Sequence, residues 1–139
     1  MKIMAIDYGD AHTGVAISDR TLTLCGFSTV VNAYRSEVVI ERIQALIAEH
    51  EVAELVLGHP INMDGTRGPR AEKAEAFAEQ LRETTGLPVT LWDERRTTVD
   101  AHNILAANGK RAKERKKTVD AVAASLMLEG YLTFRKRNG

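Results

Sequence analysis

The chain has 139 residues, 44% of them hydrophobic and 27% charged, a balance that belongs to soluble globular proteins and excludes disorder along the whole length. Its formal net charge is zero, which argues against a generic polycationic coat for nucleic acid, and its one cysteine, Cys25, excludes an internal disulfide and any zinc-ligand spacing. The opening run Met1–Asp7 is too short for a signal peptide and nothing approaches the ~20 apolar residues of a membrane helix, so one domain over 1–139 in the reducing cytoplasm is expected.

Ile3-Met4-Ala5-Ile6 is an apolar run ending in Asp7-Tyr8-Gly9, and reads as a buried strand entering a turn. Gly14–Ser18 reads as a second strand, close enough to form a hairpin with the first, and a third fits Leu24–Val31. Over 36–50 the period changes. Val39, Ile43, Leu46 and Ile47 recur at helical spacing. Glu54–Gly58 is a fourth strand, followed by a polar, glycine-rich loop from His59 to Gly68. A helix over Ala71–Thr85 is stopped by Gly86 and Pro88.

Val89–Trp92 is a fifth strand ending at Asp93-Glu94. Thr97 or Thr98 caps a helix to about Ala107, ended by Asn108-Gly109. Lys110–Lys117 reads as a basic loop or frayed turn, Thr118 as the cap of a last helix over Val119–Phe134, and Arg135-Lys136-Arg137 as a disordered, solubilising end. The order predicts an α/β fold with a mixed five-stranded sheet. Its first three strands are antiparallel, the later two parallel to the first, and helices flank it.

Charge divides unevenly. Residues 110–139 hold nine Lys or Arg against three acids, a net of +6, which leaves −6 for residues 1–109. A molecule split in this way repels phosphate on one side and holds it on the other.

Three acids occupy awkward places. Asp7 and Glu94 follow buried apolar runs. Asp120 stands in the first turn of the last helix, with Ala124, Met127 and Tyr131 along its face. In open α/β sheets ligands gather at the carboxyl ends of strands. Three carboxylates converging there repel one another unless a cation lies between them, and hard oxygen donors suit Mg²⁺ or Mn²⁺. Two such ions support phosphodiester cleavage. The plainer alternative is that each acid is a turn former or helix-dipole partner. Asp93 competes with Glu94, since neighbours in extended chain point to opposite faces.

Four segments together resemble the YqgF-type (RuvX) family, described as pre-16S rRNA nucleases and as Holliday-junction-resolvase-like proteins. They are Ala5–Gly9 running to Gly14–Asp19, Val56–Pro60 running to Met63–Thr66, Asp93–Thr98, and Val119–Ala124. The resemblance implies an RNase H-like fold and metal-dependent cleavage, with the acids falling on Asp7, Glu94 and Asp120. It also implies a role in maturing the 5′ end of small-subunit ribosomal RNA. The chain departs from the family where His12 and His59 replace the usual Arg and Leu, and where Arg95-Arg96 replaces Arg-Leu.

Candidate contacts to nucleic acid are Arg67 and Arg70 in the glycine-rich loop beside a helix start, Arg95 after Glu94, and Lys110, Lys116 and Lys117. His12 and His59 flank the expected site. Cys25 is read as a small core residue, Trp92 as core or rim. Aromatics are only 5% of the chain, which does not favour a single-strand stacking platform.

The expected partner is a ribosomal RNA precursor, free or within a ribosomal particle, with a DNA junction as the alternative and a monomer or weak homodimer as the state. Two other classes compete. Asp7-Tyr8-Gly9 through Thr13-Gly14 also resembles the phosphate loop of actin-like ATPases and sugar kinases, but the chain lacks room for their second domain. A non-catalytic RNA-binding assembly or transcription factor would bind without cutting.

Overall fold

The computed structural model describes residues 2–22, 25–93 and 112–138, with side chains of the last segment described from 123 to 137. Five strands are present among them: β1 (Lys2–Asp7), β2 (His12–Ser18), β3 (Cys25–Asn32), β4 (Val52–His59) and β5 (Val89–Asp93). Three helices accompany them: α1 (Ser36–His50), α2 (Pro69–Thr85) and α3 (Ala112–Asn138). The strands form one sheet in the order β3-β2-β1-β4-β5. β1, β2 and β3 run antiparallel in succession, β4 joins β1 in parallel, and β5 joins β4 in parallel. This is the α/β arrangement expected, with α1 and α2 as the crossovers that parallel pairing requires.

The central strand is buried on both faces, which explains its unbroken apolar run. Met4 and Ile6 point into one core layer with Val39 and Ile43 of α1 and Phe77 and Leu81 of α2. Ile3 and Ala5 point the other way, into a layer completed by Val56, Trp92 and the α3 residues Ala124, Met127 and Leu128. Strand alternation thus assigns each residue of β1 to a definite layer. Ser18 Oγ, buried, accepts the Ile3 backbone N–H at 2.9 Å and ties the hairpin at its far end.

The expected stop at Gly86 is observed, while Asn108-Gly109 lies outside the described residues. Gly86, at φ 70°, ends α2 with its N–H on the Arg82 carbonyl. α1 ends instead on Glu51 at φ 57°, a left-handed residue that no glycine marked.

Two expectations at the C-terminal end are corrected. The stretch 113–117 is not a loop, and Thr118 does not begin a helix, because α3 runs continuously from Ala112. Ala, Lys, Glu and Arg are strong helix formers and no Gly or Pro interrupts 112–129. Arg135, Lys136 and Arg137 are not a disordered end but the last helical turn, where cations suit the helix dipole. Arg135 also lies 3.5 Å from Glu54 of β4, which accepts the Tyr131 hydroxyl as well. Cys25 is half-buried at the start of β3, where it packs against the core layer on the α3 side, its thiol 3.3 Å from the Phe27 carbonyl. Trp92, 7% exposed, is core and meets Tyr131 edge-on. The helix expected over 98–107 and its Thr97 or Thr98 cap lie outside the described residues.

Candidate active site

Asp7 is the last residue of β1, and alternation from Ile3 and Ala5 places it on the α3 face. It pairs with Gly14 of β2. On its other side, the register Ile6↔Leu57 puts Gly58 of β4 one step further along. The strands flanking Asp7 therefore carry no side chain at its level. The carboxylate is half-buried and has no hydrogen-bond or ion-pair partner among the described residues.

The carboxyl ends of β1, β4 and β5 lie side by side. Ile6, Leu57 and Leu91 align across them, and His59 of β4 aligns with Asp93 of β5. Trp92 occupies the α3 layer, so Asp93 takes the opposite face. Glu94 follows Asp93 directly and lies outside the described residues, as do Arg95 and Lys110. Asp120, Lys116 and Lys117 belong to the first part of α3, where the backbone alone is described. Four, seven and eleven residues beyond Asp120, Ala124, Met127 and Tyr131 are buried in the layer that Asp7 faces. Among the described residues no group of three or more His, Cys, Asp or Glu side chains is gathered for a metal.

The opposite face of the same sheet edge is basic and tightly tied. Gly9 turns β1 into β2, and a Cβ there would stand 2.3 Å from the His12 carbonyl oxygen, so only glycine fits. Asp10 in that turn accepts Lys73 Nζ of α2 at 2.7 Å. The Lys73 bond and charge hold the Asp10 carboxyl below its usual range, and Asp10 in turn raises the Lys73 ammonium. Lys73 stands 5.8 Å from the Tyr8 ring centre, and Tyr8 stacks flat on Phe77 at 3.9 Å. Burial raises the Tyr8 hydroxyl, with Lys73 opposing. Arg70 lines a cleft of about 30 Å³ with Tyr8, Gly9, Asp10, Pro60 and Lys73.

Arg67 and His59 converge on one carboxylate. Arg67 donates Nε and Nη2 to the two oxygens of Glu75 at 2.8 and 2.6 Å, and His59 Nε2 meets Glu75 at 2.7 Å. His12 Nδ1 is 2.7 Å from the Asn32 amide oxygen on the neighbouring strand. Both histidines thus have protein partners beside the expected site. Lys73 and Glu75 escaped the sequence reading. On a helix they look like ordinary solvated positions, and their partners lie 63 and 16 residues away.

A mixed sheet in this order, helices on both faces and a carboxylate at the end of the central strand define an RNase H-like protein. Thermus thermophilus RuvC, solved in complex with Holliday junction substrate, shares this fold with a TM-score of 0.66 at 15% identity, over 100% of this chain and 98% of that one. The family model RuvX, described as Holliday junction resolvase, matches residues 1–134, and the chain belongs to that family. It is accordingly of the nuclease class, a hydrolase of phosphodiester bonds. A relative from Desulfitobacterium hafniense, named "Putative pre-16S rRNA nuclease", is 46% identical over 100% of this chain and 97% of its own. One of the same name from Halothermothrix orenii is 42% identical over 99% and 98%.

Proposed function

We propose that this chain, as a single domain, cleaves ribosomal RNA precursor in the cytoplasm at the 5′ side of the small-subunit RNA. Asp7, Glu94 and Asp120 are the catalytic carboxylates. The observation that carries this reading is the state of Asp7. Among the described residues no side chain partners this half-buried carboxylate at the end of the central strand, and the two strands beside it offer only glycine at its level. A partly buried carboxylate calls for a counter-charge, which a bound cation can supply.

The donor set fits Mg²⁺ or Mn²⁺, because it is carboxylate oxygen with no histidine or cysteine among it. Bound there, the ions would lower the pKa of a water and stabilise the leaving oxygen. The chain's own part is to hold the scissile phosphate at the sheet edge. The glycines beside Asp7 leave room for it, and Arg70, Arg95, Lys110, Lys116 and Lys117 oppose its charge. Lys116 and Lys117 stand one helical turn before Asp120 on the same helix, which supports phosphate contacts close to the chemistry. Arg67, held by Glu75, contributes charge from a fixed position. A DNA junction cut by the same carboxylates is the second reading, favoured by the family description.

The test is cleavage of 16S precursor RNA and of a four-way DNA junction by purified protein, with Mg²⁺, Mn²⁺ or EDTA, beside Asp120→Asn. Metal-dependent cutting of the RNA that disappears in the variant supports the proposal. Cutting of the junction alone moves the substrate to DNA. Binding without cutting of either leaves a non-catalytic RNA-binding factor.

A further inference from the structure

Five large hydrophobic side chains are exposed among the described residues, and two stand apart from the rest: Met63 at 85% and Tyr34 at 84%, against 38–45% for Phe27, Val38 and Phe134. A single exposed apolar side chain is ordinary on a protein surface. The placement of these two is not. β3 runs parallel to β1, being antiparallel to β2, so Tyr34, two residues past β3, stands at the same edge of the sheet as Asp7. Met63, four residues past β4, stands at that edge too, on the other side of Asp7 in the order β3-β2-β1-β4-β5.

Both are presented by backbone that is tied down. The loop carrying Met63 closes on itself. Gly65 N–H donates to the Asn62 carbonyl at 2.8 Å, Asn62 N–H to the Thr66 carbonyl at 3.0 Å, and Asp64 accepts both the Thr66 N–H and its hydroxyl. Its two ends are clasped by the one Glu75 carboxylate through His59 and Arg67. Beside Tyr34, Ala33 N–H donates to the Ala11 carbonyl at 3.0 Å, which fixes that segment to the β1–β2 turn. The backbone thus holds both side chains out at the end of the sheet where the function proposed above puts nucleic acid.

We infer that Tyr34 and Met63 are base-contacting residues that grip the substrate on either side of the phosphodiester presented to Asp7. Tyr34 stacks on a base and Met63 wedges against one at an opening in structured RNA. This rests on the nuclease reading above. The chemistry suits the task. An aromatic ring stacks on any base, and Met is among the apolar wedges that part base steps. Neither contact involves phosphate, so the pair would report the bases while the cations hold the backbone. The strand spacing sets the reach, since the ends of β3 and β4 are three strand steps apart, roughly 14 Å.

The test uses the full chain and the 16S precursor leader RNA, with 2-aminopurine placed in turn at adenines that border helices. Wild-type protein is expected to raise the fluorescence of at least one probe as its base unstacks. Tyr34→Ala and Met63→Ala should each weaken RNA binding about tenfold and reduce that signal. The slope of affinity against salt should stay unchanged, since no phosphate contact is lost. Tyr34→Phe and Met63→Leu should restore both. Wild-type affinity and an undiminished probe signal in both alanine variants, with metal-dependent cleavage intact, would overturn this inference and leave the nuclease reading standing. Wild-type protein that neither binds nor cuts the RNA would sink that reading, and this one with it.

Discussion

Arg67 is bonded at two points to Glu75, its Nε and Nη2 meeting the two carboxylate oxygens at 2.8 and 2.6 Å, so a cation that reads in sequence as a phosphate ligand also anchors its own loop. His59 completes the clasp from the loop's other end. The Arg67 bonds, and then the His59 bond, hold the Glu75 carboxyl below the usual carboxylate range.

The sign of the pH dependence follows. A carboxyl with a lowered folded-state pKa favours the clasped loop at pH above its ordinary value of about 4.3 and loses that contribution as pH falls through the lowered value. Hydrogen-exchange protection across 60–68, taken relative to the intrinsic rate at each pH, should therefore be high at neutral pH and fall in acid. Glu75→Gln should show the low protection at neutral pH already. Equal protection in the variant and the parent would mean the clasp does not order the loop.

Asp7→Asn keeps the shape of the side chain and removes its charge. With a carboxylate ligand lost, cleavage should fall by more than the ~100-fold that follows loss of a group merely supporting a metal ligand. The variant should fold and bind RNA as before, because Asp7 has no partner among the described residues to lose. Turnover within a few-fold of the parent would remove Asp7 from the mechanism.

Thr13 is fully buried and its hydroxyl has no hydrogen-bond partner among the described residues. An unsatisfied buried polar group is costly, and its replacement by an apolar group of the same shape is neutral or stabilising. Thr13→Val should leave stability unchanged or raise it by about 1 kcal/mol in urea unfolding. A loss of that size would show that the hydroxyl is satisfied in solution.

Phe77 is 1% exposed and lies flat against Tyr8, which stands one residue beyond Asp7. Phe77→Ala should cost about 3–5 kcal/mol through the cavity it leaves. It should also lower cleavage by more than the unfolded fraction explains, since Tyr8 loses the surface that orients the turn. Unfolding curves and activity measured at the same temperature separate the two effects.

Lys116→Ala with Lys117→Ala removes two cations from the start of α3. RNA binding should weaken and the slope of log affinity against log salt should fall by about 1.4–1.8, the value for two lost phosphate contacts. Far-UV circular dichroism should be unchanged, since alanine favours helix. An unaltered slope would show that these lysines are only solvated.

Much of this fold could be read from local pattern. The apolar run at 3–6, the helical spacing over 36–50 and the Gly86 stop each state a local preference that the tertiary structure did not need to override. The resemblance added the order of the acids. The stretch 113–117 was misread because a run of charges looks like a loop when its helix propensity is set aside, yet Lys113 to Lys117 are good helix formers continuous with α3.

The sequence by itself determined the α/β class, the central position of β1 and the place of Asp7 at the end of that strand, because these follow from hydrophobic period and from residue types at strand ends. Only the tertiary structure decided which groups meet across long stretches of chain. Lys73 joins Asp10 across 63 residues, Arg67 is given to Glu75, and Tyr34 and Met63 come to stand at one edge with Asp7. Those meetings depend on strand order and register. Pairwise contact between distant residues leaves no periodic trace in a single sequence, so charge and exposure at such positions acquire meaning only once the sheet has brought them together.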